Sequence, residues 1–201
     1  MQIVRRTLLL SALVLASAAP VLAQETMRVR GTVEKLDGSI LSVKTREGAA
    51  LSIALDKPVF VAMVKAAIAD IKPGTYVGAT GLPADDGSLR AVEIHIFPEA
   101  MRGTGEGHRP WDLQAGSTMT NANVEMAVTG VNGAALTLKY KDGEKKLVVT
   151  PETVIVTYAP GDAAEVKPGT KIFISAAAKK PDGGWTASRI NYGRDGLTPP
   201  M

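Results

Sequence analysis

Residues 71–97 read "IKPGTYVGATGLPADDGSLRAVEIHIF", and residues 166–193 read "VKPGTKIFISAAAKKPDGGWTASRINYG". The two stretches share one pattern. Lys72 falls on Lys167, an offset of 95. Upstream, "VEKLDGSILSVKTREG" (33–48) falls on "VTGVNGAALTLKYKDG" (128–143), so Gly38 meets Gly133 and Gly48 meets Gly143 at the same offset. Downstream, Gly87 meets Gly183 at an offset of 96. A single one-residue slip over such a span marks a tandem duplication, and a repeat of this kind is read before any motif.

Each copy reads as short strands divided by turns. In the first, Val29–Leu36 and Ile40–Thr45 flank an Asp-Gly pair, a hairpin signal. Leu51, Ile53 and Leu55 alternate as in a strand with one buried face. Val59–Val64 is rich in β-formers, and a short helical turn is expected at Ala66–Asp70. Tyr76–Gly81 and Leu89–Phe97 follow, joined through Asp86-Gly87. The second copy repeats the order around Asn132-Gly133, Asp142-Gly143 and Asp182-Gly183. Five or six short strands in one copy remove their exposed edges by closing into a ring. The sequence therefore predicts an all-β protein of two tandem small OB-like β-barrels, with a small sandwich as the alternative. The expected divisions are a leader at 1–23, a first barrel at 28–97, an ordered glycine-rich linker at 98–123, a second barrel at 124–193 and a tail at 194–201.

The elements "V-x-G-x-V" (29–33), "LDGSILSV" (36–43), "DIKPGTYV" (70–77) and "DGSLRAVEI" (86–94) resemble a bacterial exported domain family of unknown function with small OB-like barrels. With "MRGTGEGHRPWD" (101–112) between two copies, the chain also resembles proteobacterial proteins labelled metal ABC transporter permease. A permease needs several membrane-spanning helices, and residues 24–201 hold no apolar stretch of that length. The resemblance implies no catalytic residues.

Arg5 and Arg6 precede an almost wholly apolar run from Thr7 to Ala19, then "PVLA" with small residues at Val21 and Ala23. That is the layout of a cleaved secretory leader, and the run of about 13 residues is short of the roughly 20 that span a bilayer. The expectation is a soluble periplasmic protein cut after about Ala23. The chain carries 23 basic and 20 acidic residues; without Arg5 and Arg6 it carries 21 against 20, a net charge of +1. Nothing concentrates this charge into the basic face that nucleic acid requires. The absence of cysteine excludes disulfides, thiolate metal sites and cysteine nucleophiles.

Candidate chemistry is sparse. "GTGEG" (103–107) lacks the strand, helix and Lys-Ser/Thr of a phosphate loop, and Pro110 follows at once. No G-x-S-x-G or H-E-x-x-H is present. Glu93 and His95 lie two apart on one strand face, a spacing that offers two metal ligands. The second copy carries Arg189 and Asn191 there, and a solvated strand face is expected.

The linker is the more suggestive segment. A structureless connection of this length is either functional or disordered, and disorder does not explain "HRPWD". Trp111 is expected to anchor the linker into a barrel or the groove between barrels, with Pro110 stiffening the chain and Asp112 holding His108 or Arg109. The bland version is a staple. The sharper one gathers His108, Asp112, Glu106 and Glu99 around a divalent metal or a small anion in the groove between barrels. Met101, Met119 and Met126 are read as gap filling, with Cu(I) ligation as the alternative.

The sequence thus predicts a non-catalytic binding or protein-interaction module, acting on an unknown envelope protein or small ligand. A metal-binding accessory protein and an uncharacterised hydrolase are the alternatives.

Overall fold

A computed structural model describes residues 24–130 and 133–201. The leader at 1–23 lies outside the described residues. No described helix is long and apolar enough to cross a membrane.

Twelve strands make up the described chain: β1 (Thr26–Asp37), β2 (Ile40–Thr45), β3 (Ala50–Lys65), β4 (Tyr76–Pro83), β5 (Leu89–Ile96), β6 (Gly107–Pro110), β7 (Thr118–Gly130), β8 (Gly133–Tyr140), β9 (Gly143–Val149), β10 (Val154–Pro160), β11 (Lys171–Lys179) and β12 (Trp185–Gly193). The helical turn expected before Asp70 is a 3-10 turn at Ile68–Asp70. The fold is all-β with closed five-stranded rings, as the repeat predicts.

The rings do not follow the expected division at residues 97 and 124. One barrel closes in the order β1-β2-β3-β12-β11, and the other in the order β7-β8-β9-β5-β4. Each barrel takes its first three strands from one copy and its last two from the other. Within each ring the third and fourth strands of that order pair in parallel, β3 with β12 and β9 with β5. The first and last pair antiparallel and close the ring, β1 with β11 and β7 with β4. This is the OB order, completed by exchange between copies.

The length of β3 accounts for the exchange. Sixteen residues of strand extend roughly 50 Å, whereas a small barrel needs strands of about 5–6 residues. Between Leu55 and Val59 the register against β12 shifts, and Lys57 takes a φ of 42° before Pro58. That bulge bends the strand without reversing it, for no Asn-Gly or Asp-Gly is present to turn it back. The chain runs out of its own barrel and delivers β4 and β5 to the next. The second copy does the same through β9 and β10, kinked at Thr150–Thr153 by a backbone bond of 3.0 Å.

The outgoing halves of β3 and β10 then pair antiparallel: Val61 faces Pro160, Met63 faces Tyr158, and Lys65 faces Val156. Met63 and Tyr158 are equivalent in the two copies at the offset of 95, so a pseudo-twofold axis passes between them.

Each barrel has its own core. Val29, Val43, Ile53, Ile172, Ile174 and Ile190 centre the first, and Val77, Ile94, Leu136, Leu138 and Leu147 the second. A third cluster lies at the junction, where Met63, Met119, Val156, Phe173 and Met201 are buried with Trp111, Tyr158 and Leu197 against them.

Candidate site between the barrels

On β5 the alternation is broken once. Thr80 faces Glu93 while Gly81 faces Ala91, so Val92 is bulged. The bulge leaves Leu89, Ala91 and Ile94 in the barrel core and turns Glu93 and His95 to the outer face. That face is not solvated as expected. Glu93 is 0% exposed and His95 4%, because the junction packs over them.

Their polar atoms are partnered inside the protein. Oε1 of Glu93 accepts from the backbone N–H of Thr80 at 3.1 Å and from its hydroxyl at 2.6 Å. The other carboxylate oxygen meets His95 Nδ1 at 3.1 Å, and since a carboxylate only accepts, Nδ1–H donates. The imidazole stands edge-on to Phe97 at 4.8 Å and to Tyr158 at 6.0 Å between ring centres. Burial, then the charge of Glu93, raises the Tyr158 phenol far above its ordinary range.

Gly78 lies opposite His95 on β4, and it is the equivalent of Phe173, which lies opposite Asn191 on β11. One barrel thus pairs the smallest residue with an imidazole, and the other pairs a phenyl ring with a short amide. Asn191 donates to the Phe173 carbonyl at 3.2 Å, and Arg189 donates to Asn191 Oδ1 at 3.3 Å.

These two faces enclose a cavity of about 430 Å³, lined among others by His95, Asn121, Tyr158, Phe173, Arg189 and Asn191. The linker supplies more of the wall through Met101, Thr104, Gly105, Arg109 and Trp111, and the tail adds Met201. The "GTGEG" turn is held in place from the second barrel, its Thr104 carbonyl accepting from the Tyr76 hydroxyl at 3.1 Å and Asn121 Nδ2 at 2.9 Å. β6 then pairs with β7, with Pro110 opposite Thr118.

Trp111 bridges the two barrels. Arg28 of β1 lies 4.0 Å over its ring, with Arg109 at 5.7 Å and Arg30 at 6.0 Å. Asp112 pairs with neither His108 nor Arg109. It accepts from Arg30 at 2.8 Å and meets Arg28 at 3.4 Å, which fixes the linker to the first barrel.

The expected metal set does not assemble. His108 Nδ1 lies 2.8 Å from the Thr120 hydroxyl, and its ring stacks on Tyr140. Glu106 accepts from the backbone N–H of Lys141 at 3.0 Å, and Glu99 pairs with Arg102 at 2.6 Å. Among the described residues, no three His, Asp or Glu side chains lie close enough to share a metal ion. Of the three methionines singled out, Met101 and Met119 line the cavity, whereas Met126 is exposed on β7. Sequence reasoning missed Arg189, Asn191, Asn121 and Tyr158; the only signal for the first two was their equivalence to Glu93 and His95.

Burial, with Lys145 and Arg109 nearby, lowers the pKa of His108 from its usual 6.5. The unfolded chain therefore takes up a proton that the folded chain refuses, so this histidine's contribution is complete above about pH 6.5 and is lost as pH falls below it. The melting temperature of wild type is expected to drop more between pH 7 and pH 5 than that of His108→Gln. Identical pH profiles by differential scanning calorimetry would contradict this.

No family model matches the chain, and neither a curated protein nor a solved structure matches it.

Proposed function

We propose that this protein is a non-catalytic, exported binding module that holds a small molecule in the cavity between its exchanged barrels. The observation that carries the reading is the cavity itself, mostly apolar and bounded by both barrels and the linker, with two lining residues that each keep a buried polar atom unpartnered. Asn121 Oδ1 and Trp111 Nε1 have no hydrogen-bond partner in the protein, and both residues line the cavity. Leaving such a group unpaired costs about 1–3 kcal/mol, and native proteins do so rarely. A mostly apolar cavity of this size with a few polar residues in its lining is the usual layout of a ligand site. The leader sequence and the resemblance to exported tandem OB-like domains support a periplasmic setting.

A metal-binding role fits less well, because Arg109 and Arg189 face the space a cation would occupy. A catalytic role has one observation in its favour: a buried carboxylate orients a histidine at the cavity wall, as general bases are often oriented. No nucleophile elbow accompanies it.

Ser175 lies exposed at the cavity mouth, so Ser175→Trp fills the space without disturbing the core. A thermal-shift screen of small molecules from envelope extract is expected to yield compounds that stabilise the wild type. At 100 times its Kd, a ligand adds about 2.7 kcal/mol. The same compounds leave Ser175→Trp unmoved and still stabilise His95→Gln. Hits that act equally on Ser175→Trp would refute the cavity as the site, and hits turned over by wild type but not by His95→Gln would favour the catalytic reading.

A further inference from the structure

We infer that the ligand is an organic anion with a flat apolar body, an inference that rests on the cavity being the binding site. Two guanidinium groups, Arg109 and Arg189, line the cavity, and neither lies within ion-pair distance of a carboxylate among the described residues. Arg109 donates to the Gly105 carbonyl, and Arg189 to an amide oxygen and the Met101 sulfur, all uncharged acceptors.

The acids nearest the cavity are committed to other partners. Arg28, Arg30 and Arg109 gather around one indole with Asp112 as their acid, and Asp112 is taken up by Arg30 and Arg28. Glu93, the carboxylate buried behind His95, does not reach the cavity wall and is committed to Thr80 and His95. Burial and the neighbouring Arg28 also depress the pKa of Arg109, the signature of a cation held where an anion would relieve it.

The larger part of the wall is apolar, and four aromatic rings belong to it. Phe97 and Tyr158 stack at 5.7 Å with an interplanar angle of 28°, and Phe173 and Trp111 are the other two rings. Planar π-faces receive planar apolar groups, and guanidinium forks receive carboxylates in two parallel bonds. A metal cation, a sugar or a simple inorganic ion uses only one of these two features.

The test needs no knowledge of the natural ligand. Binding of 2-naphthoate, 2-naphthamide and 2-naphthylmethylammonium to the full protein is measured by calorimetry. The carboxylate is expected to bind at one site, about tenfold or more tighter than the amide, with no detectable binding of the ammonium. Arg109→Gln and Arg189→Gln should each bring the carboxylate down towards the amide. If either variant fails to fold, the three probes on wild type decide alone. An amide that binds as well as the carboxylate, with both lost in Ser175→Trp, would overturn the anion and leave the cavity standing. Failure of all three probes overturns the anion; the cavity itself falls only if Ser175→Trp also leaves the thermal-shift hits unchanged.

Discussion

Replacing Gly78 by alanine is expected to cost about 3–5 kcal/mol of stability, although it adds one methyl group. A Cβ on Gly78 would lie 2.0 Å from His95 Nε2 and 2.3 Å from Cε1, with Asn121 Oδ1 at 2.8 Å. The imidazole can retreat only towards the cavity, and doing so costs it its partner. Phe97 and Tyr158 brace it edge-on, and its Nδ1–H is held by Glu93. Overpacking of this kind costs about 1–3 kcal/mol. If the ring leaves, a fully buried carboxylate also loses one of its three donors, for a similar further amount. For a domain of this size, the melting temperature should fall by about 10 °C.

The other barrel suggests the compensation. Opposite Phe173, it carries Asn191 where the first copy has His95. Adding His95→Asn to Gly78→Ala should therefore recover part of the loss, giving a favourable coupling in a double-mutant cycle. A Gly78→Ala protein within about 0.5 kcal/mol of wild type, which is the usual range for a neutral surface change, would contradict the packing.

Much of the local structure was legible. The span Ile40–Thr45 was placed as found, and the starts of β4 and β5 at Tyr76 and Leu89 were set by "KPGT" and by Asp86-Gly87. Turn chemistry is local, so it survives any change of partner. Strand pairing between copies is not local. The duplication gives both copies the same alternation, so β4 and β11 carry nearly interchangeable instructions for closing a barrel. What separates the two outcomes is the stretch at Asp56–Pro58, where a bulge stands in place of a turn.

The misreading of Glu93 and His95 follows from this. Alternation assigns one face of a strand to the core and the other to water by default. It has no term for a second barrel folded over the outer face. The linker residues fared differently. Trp111 does tie the linker across the junction, but His108, Glu106 and Glu99 found separate partners that no spacing rule foretells.

Cutting the chain between the two copies provides the second large effect. The turn at Asp112–Gly116 between β6 and β7 is mostly exposed, and it accepts a protease recognition sequence between Ala115 and Gly116. After cleavage, seven strand ladders still join the two fragments: β1 with β11, β3 with β12, β3 with β10, β5 with β10, β4 with β7, β5 with β9 and β6 with β7. Neither fragment contains a complete ring. Parting them means opening both barrels, so dissociation should be as slow as global unfolding. Barrels closed within single copies would instead be held together only by surface packing.

The most direct measurement is size-exclusion chromatography of the nicked protein at high dilution, in buffer and in denaturant. Strand exchange predicts one peak of intact size in buffer and two fragments only under conditions that also abolish the circular dichroism signal. Two separate, folded fragments in buffer, each melting cooperatively, would show that every copy closes its own barrel. In that case the shared cavity would lose its basis.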